Sequence, residues 1–199
     1  MGDAFAGVST FNLDEFVGLA PEDERSYAFY MQAHFFSRVD LQPGNTFLPS
    51  CTNVAAHEAV CDDYEAAIRE RGGIDLQLLG IGTNGHIGFN EPSSSLGSRT
   101  RIKTLTPRTL RDNESSDLQL AITMGIATIM DAENVLLLAT GAAKAEAVAG
   151  TVEGPVSANC PASVLQFHRR ATLICDQDAA ARLINRKYYL DVQAIEANL

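Results

Sequence analysis

The apolar run Ile74–Leu79 (IDLQLL), leading directly into Gly80–Pro92 (GIGTNGHIGFNEP), constrains this chain more than any other stretch. A short apolar run stopped by glycine reads as a buried strand. The segment after it cannot continue as one. Gly80, Gly82 and Gly85 permit a tight turn and let backbone approach a ligand closely. The turn carries one imidazole, His86, and one carboxylate, Glu91. Histidine titrates nearest neutrality of all side chains, and a neighbouring anion can orient and charge it. A strand end, a glycine turn and a histidine together are typical of ligand sites at the carboxyl edge of an α/β sheet.

The rest of the chain repeats this plan. Residues 7–11 (GVSTF) are β-prone and run into Asn12-Leu13-Asp14-Glu15. Residues 22–38 carry a helical pattern, with Tyr27, Tyr30, Met31, Phe35 and Phe36 on one face, and Pro43-Gly44 breaks the chain. Residues 55–71 read as an amphipathic helix closed by Gly72-Gly73. Residues 118–132 start as strand and finish as helix. ENVLLLATG (133–141) reads as a buried strand, followed by a helix over 144–152. A short helix over 162–168, a strand over 171–176 and a helix over 178–199 close the chain. Strands alternate with helices, and the interior strands are continuously apolar, as in parallel sheets buried on both faces. The expectation is an α/β fold, three-layer, with a mostly parallel sheet, in a single domain over residues 1–199. The 199-residue length suits one domain.

Charge narrows the partners. A formal net charge of -10 argues against nucleic acid, whose phosphates select basic surfaces. No apolar run reaches the ~20 residues of a membrane span, and the N-terminus does not read as a secretory leader. Cys51, Cys61, Cys160 and Cys175 form no CxxC pair and no zinc-type spacing, and they read as spectator thiols in a reducing cytoplasm. His34, His57 and His168 lie apart from acidic clusters, so no metal site is expected. Within this acidic chain, Arg99, Arg101 and Lys103 alternate with Thr100, Ile102 and Thr104. That alternation puts the cations on one side of an extended segment. It fits an anion site, and equally a charged strand edge.

Asp14, His86 and Lys144 all stand near predicted strand ends. An imidazole flanked by carboxylates can shuttle protons near neutrality. A second carboxylate, Asp14, can act on a carbon acid, and a lysine can hold a phosphate. Together they would serve proton transfer on a small phosphorylated sugar. Taken singly, each has a plain structural explanation: Asp14 as a turn or cap residue, His86 as structural, Lys144 as a solvated helix lysine.

The segments TFNLDEFVGL, GIGTNGHIGFNEPSSSLGSRTRIKTL, AITMGIATIMDA and PASVLQFH, in order from about Thr10 to about Asp176, resemble the glucosamine-6-phosphate deaminase/isomerase family. The resemblance implies a modified Rossmann-like fold and no metal or nucleotide cofactor. It also implies conversion of glucosamine 6-phosphate to fructose 6-phosphate with release of ammonia, a step of N-acetylglucosamine and amino-sugar catabolism. By position, Asp14 matches the proton acceptor for enolisation, His86 the imidazole that opens the sugar ring, and Glu91 the carboxylate that polarises it. Asn84 matches a position that is Asp in many members. Asn carries no charge to raise the histidine pKa but can still accept a hydrogen bond, so a weaker base or reliance on Glu91 is expected. Lys144 matches a phosphate-binding lysine. Ser94, Arg101, Lys103 and Thr104 match an allosteric anion site found between subunits of some members.

The chain departs from the family pattern in three places. It begins almost at FNLDE, without the glycine/threonine-rich phosphate loop, as a fragment or a compact variant would; a shortened sheet exposes an edge and favours homo-oligomers. The arginine expected after RIKTL is absent, Asn113 being followed by Glu114, Ser115 and Ser116. The C-terminus is short. The competing readings are an isomerase of another amino-sugar phosphate such as galactosamine 6-phosphate, a 6-phosphogluconolactonase-like hydrolase, and a non-catalytic sugar-phosphate-binding protein.

Overall fold

The computed structural model describes residues 4–112 and 117–196. In chain order the elements are β1 (Thr10–Phe11), β2 (Asp14–Phe16), α1 (Tyr27–His34), β3 (Thr46–Phe47), α2 (His57–Glu70), β4 (Leu76–Gly80) and β5 (Arg101–Thr104). They continue with α3 (Pro107–Asp112), β6 (Leu120–Thr123), α4 (Ile126–Met130), β7 (Asn134–Ala139), α5 (Ala145–Val152), β8 (Ala171–Cys175) and α6 (Arg186–Glu196). Strands β4, β7 and β8 form a parallel sheet in that order, and β1 pairs with β3 in parallel. Strands β2, β6 and β5 form an antiparallel sheet. The fold is mixed α/β, with most strand pairs parallel.

Register explains the core. Leu79 of β4 lies opposite Leu137 of β7, which lies opposite Leu173 of β8. This row packs with Tyr64 and Ile68 of α2 and Val148 of α5. Helix α2 supplies a stripe at Cys61, Tyr64, Glu65 and Ile68, the spacing of one helical face. It stops where the sequence says, as Gly72 and Gly73 both adopt positive φ.

The interior strands differ from expectation in one respect. Strand β4 alternates between exposed and buried instead of being buried on both faces. Leu76, Leu78, Leu138 and Ile174 are 58%, 54%, 41% and 55% exposed, on the face opposite Leu79 and Leu137. Helices α2 and α5 pack one side of the parallel sheet, and no element among the described residues shields the other to the same degree.

Other boundaries shift as well. The first helix is shorter than expected: Ser26 caps it by accepting from Phe29 N at 3.0 Å, and a separate turn covers Phe36–Arg38. The last helix starts at Arg186, after turns, and its final expected residues 197–199 lie outside those described. Strand β2 opens on Asp14 itself, where the sequence reads as the loop after a strand.

One buried polar group ties several elements together. Glu65 Oε1 accepts from Thr100 N at 2.9 Å, Thr100 Oγ1 at 2.6 Å and Thr128 Oγ1 at 2.5 Å. It joins α2 to the entry of β5 and to α4. Burial opposes its charge, but the bonds from Thr100 and Thr128 outweigh it and leave the carboxyl below its ordinary value.

The two faces of the parallel sheet give a direct check. Leu137→Ala should lower the unfolding free energy by about 2–5 kcal/mol in urea titration. Leu78→Ala, on the open face, should cost about 1 kcal/mol or less by the same measurement.

Candidate active site

Strand β4 ends at Gly80 and delivers the chain into the glycine turn. Gly82 N donates to His86 O at 2.9 Å and Gly85 N to Gly82 O at 3.0 Å, closing it. Gly82 is required for a specific reason. A Cβ there would lie 2.2 Å from the His86 ring, so the imidazole packs directly on the Gly82 backbone. Gly85 has φ +82, and a Cβ on it would meet Cys160 Sγ at 2.6 Å. Gly80 has open space around it and carries no such constraint.

The far end of the loop is fastened to β6. Phe89 N donates to Thr123 Oγ1 at 3.0 Å, and Asn90 Nδ2 donates to Met124 O at 2.8 Å. Strand β6 also pairs with β2, placing Asp14 opposite Thr123. This brings Asp14 and the glycine turn together on the same strand. Asp14, Tyr27, His86 and Lys144 line one cavity of about 310 Å³, with backbone from Gly80, Gly82 and Gly88.

Asp14 and its neighbour divide their labour by strand alternation. Glu15 is buried and accepts from Tyr27 N at 3.0 Å and Ala28 N at 2.8 Å, anchoring the start of α1. Asp14 faces the cavity. Burial, and secondarily the charge of Glu15, raise its pKa to about 7. A carboxylate poised there can both take and return a proton at neutral pH.

The histidine is held through an amide. Asn84 Nδ2 donates to Glu91 Oε2 at 2.9 Å, while Asn84 Oδ1 accepts from His86 N at 3.2 Å and stands 2.7 Å from His86 Nδ1. An ionised carboxylate can only accept, so the amide nitrogen must face Glu91 and the amide oxygen must face His86. The network therefore assigns the imidazole proton to Nδ1 and leaves Nε2 basic. Glu91 Oε2 is 3.6 Å from Nδ1, too long for a hydrogen bond. Burial raises the Glu91 pKa, but His86 together with Thr109 and Asn84 outweighs it and brings the value to about 2. Glu91 thus stays ionised throughout the physiological range.

The basic cluster separates. Arg99 leaves the group to pair with Asp131 and approach Glu65. Arg101 and Lys103 share one side of β5, while Thr104 occupies an alternate position and is exposed. Arg101 Nη1 donates to Asn90 Oδ1 at 2.8 Å. Among the described residues, Arg101 Nη2 and the buried Ser94 Oγ have no hydrogen-bond partner. Among the described residues, no group of three or more His, Cys, Asp or Glu is arranged to hold a metal. The cysteines are free thiols.

With the site assembled, its relatives can be compared. Residues 5–174 match the model of the glucosamine-6-phosphate isomerases/6-phosphogluconolactonase family. The chain belongs to this family. It is 50% identical over 197 residues to a glucosamine-6-phosphate deaminase of Shewanella loihica, spanning 96% of this chain and 73% of that protein. It is 53% identical over 197 residues to the Hahella chejuensis enzyme of the same name, spanning 96% and 75%. Among solved structures, a monomeric glucosamine-6-phosphate deaminase superposes with a TM-score of 0.86 at 43% identity, covering 89% of this chain and 76% of that one. A 6-phosphogluconolactonase from Trypanosoma cruzi shares the fold, with a TM-score of 0.72 at 21% identity.

Within this family member, the structure gathers Asp14, Asn84, His86, Glu91 and Lys144 around one cavity and its supporting shell. Ser94, Arg101 and Lys103 belong to a neighbouring segment. The missing arginine falls at 113–116, outside the described residues. Sequence reasoning did not find Asn90, Thr106, Thr109 or Thr123. Threonines in a strand or before a helix look like ordinary propensity and capping residues, which hides their contacts.

The raised Asp14 pKa has a testable sign. Its folded-state value lies above its unfolded one, so the neutral carboxyl favours the fold. That contribution is full below the ordinary value of 3.8 and is lost as pH rises through about 7. Asp14→Asn keeps the neutral form. The variant's melting temperature should gain on wild type steadily across that window, as followed by thermal melts against pH.

Proposed function

We propose that this chain is a deaminating aldose-ketose isomerase that converts glucosamine 6-phosphate and water to fructose 6-phosphate and ammonia. The observation that carries this reading is that two proton-transfer groups of different kind face one cavity. These are the Asp14 carboxyl, with its pKa near 7, and the His86 imidazole, with Nε2 basic. His86 accepts the proton of the anomeric hydroxyl and returns it to the ring oxygen, opening the sugar. Asp14 then removes the C2 proton and delivers it to C1. The C2 amine becomes an imine, which water hydrolyses to the ketone and ammonia. Lys144, at the start of α5, binds the substrate phosphate from the same cavity.

The partner is thus a small anionic sugar in the cytoplasm, handled without metal or nucleotide cofactor. No helix among the described residues is long and apolar enough to cross a membrane. Ser94, Arg101, Lys103 and Thr104 form a second anion site in this reading. Its support is a pair of buried polar atoms, Ser94 Oγ and Arg101 Nη2, without partners among the described residues, beside a lysine whose charge is disfavoured by burial and by Arg101. Self-association belongs to the same proposal, supported by the open apolar face of the parallel sheet.

Coupled detection of ammonia and fructose 6-phosphate tests the reaction. Purified chain should turn over glucosamine 6-phosphate, and His86→Gln and Asp14→Asn should each lower kcat by ~100-fold or more. A wild type no faster than both variants would sink the enzyme reading. Lys144→Ala should raise KM about tenfold with a smaller effect on kcat, the pattern of lost binding in ground and transition states alike. Steady-state kinetics at fixed pH separates the two parameters.

A further inference from the structure

Glu91 has two ends. Oε2 faces Asn84 and His86, as described above. Oε1 faces the segment that opens α3. Thr109 Oγ1 donates a short hydrogen bond to it, and Thr106 Oγ1 stands 3.2 Å from the same oxygen. Thr109 is buried, at 1% exposure. Thr106 also accepts from Thr109 N at 3.3 Å and is 3.2 Å from Thr109 Oγ1, so the two hydroxyls form one unit at the helix start.

The polarity of this chain of bonds runs in one direction. A hydroxyl donates to the carboxylate, the carboxylate accepts the Asn84 amide, and the amide oxygen accepts the imidazole proton. Each link fixes the next, because a carboxylate cannot donate and an amide has one accepting end. A Glu91 that was protonated, or turned away, would release Asn84 and admit the other histidine tautomer, whose Nε2 is occupied. A buried carboxylate keeps its charge only while donors surround it.

We infer that Thr109, backed by Thr106, is a positioning residue for the reaction. It holds Glu91 so that Oε2 meets Asn84, and Asn84 in turn places the His86 proton on Nδ1. This rests on the reading of His86 as the ring-opening base. Thr109 touches no reacting atom, and it acts through two intermediaries. Its contribution is greatest at low pH, where loss of a donor lets Glu91 protonate sooner. Burial of Glu91 makes that loss costly.

The test compares Thr109→Val, which keeps the shape and removes the donor, with Thr109→Ser, which keeps the donor. Thr109→Val should lower kcat about tenfold with KM changed less than ~2-fold. The acid limb of its kcat–pH profile should move to higher pH. Thr109→Ser should recover kcat to within ~3-fold of wild type. Heteronuclear NMR of isotope-labelled histidine, with the His86 signal assigned through His86→Gln, reads the tautomer without turnover. Wild type and Thr109→Ser should show the Nδ1–H form, and Thr109→Val a mixture. Thr109→Ala gives the same comparison if the valine variant does not fold. An unchanged pH profile and tautomer in the donor-free variant would overturn the inference. So would equal losses in the serine and valine variants, since a purely structural role predicts that. A wild type without turnover would instead remove the deaminase reading, while the NMR comparison would still decide the role of Thr109.

Discussion

A carboxylate held away from bulk water must be surrounded by donors or give up its charge, and the Glu91 side chain is the place where this chain meets that demand. Its donors come from two separate stretches: Asn84 in the glycine turn, and Thr106 and Thr109 at the next helix start. The residue itself does not line the cavity. It decides which way one amide faces, and the amide decides which imidazole nitrogen is basic. The amide of Asn84 makes this dependence explicit. A neutral relay has no preferred polarity of its own, so it takes its direction from the nearest fixed charge.

Much of the site was legible in the residues. The strand stopped by glycine, the turn with His86, and the placement of Lys144 just beyond β7 follow from apolar runs and their punctuation. What could not be read was the contact order between distant pieces. Asp14 comes to line the same cavity as His86 because β2 pairs with β6 in an antiparallel sheet; β2 is too short to announce itself by periodicity, and the strand read at residue 118 does not name its partner. The threonines were hidden for a different reason. A hydroxyl that caps a helix and one that holds a carboxylate have the same sequence signature.

The parallel sheet shows the converse error. Continuous apolar strands predict burial on both faces, yet Leu76, Leu78 and Ile174 lie open while Leu79 and Leu137 are covered. Composition records what a strand tolerates, whereas burial depends on which helices the rest of the chain brings to it. The relatives matched here extend beyond the aligned region by about a quarter of their length, and all the site geometry described above lies within the shared part.

The adjacency of Asp14 and Glu15 has a consequence for how fidelity is encoded. Successive strand residues point to opposite sides, so one acid serves the cavity and the other ties down α1. A slip of β2 against β6 by one residue would exchange them, presenting Glu15 to the cavity and burying Asp14 beneath a helix. No side chain would be lost and no composition changed. In the proposed reading, the pairing of Asp14 with Thr123 is therefore a part of the catalytic apparatus written in hydrogen-bond register, and selection on activity acts on strand alignment as directly as on the acid itself.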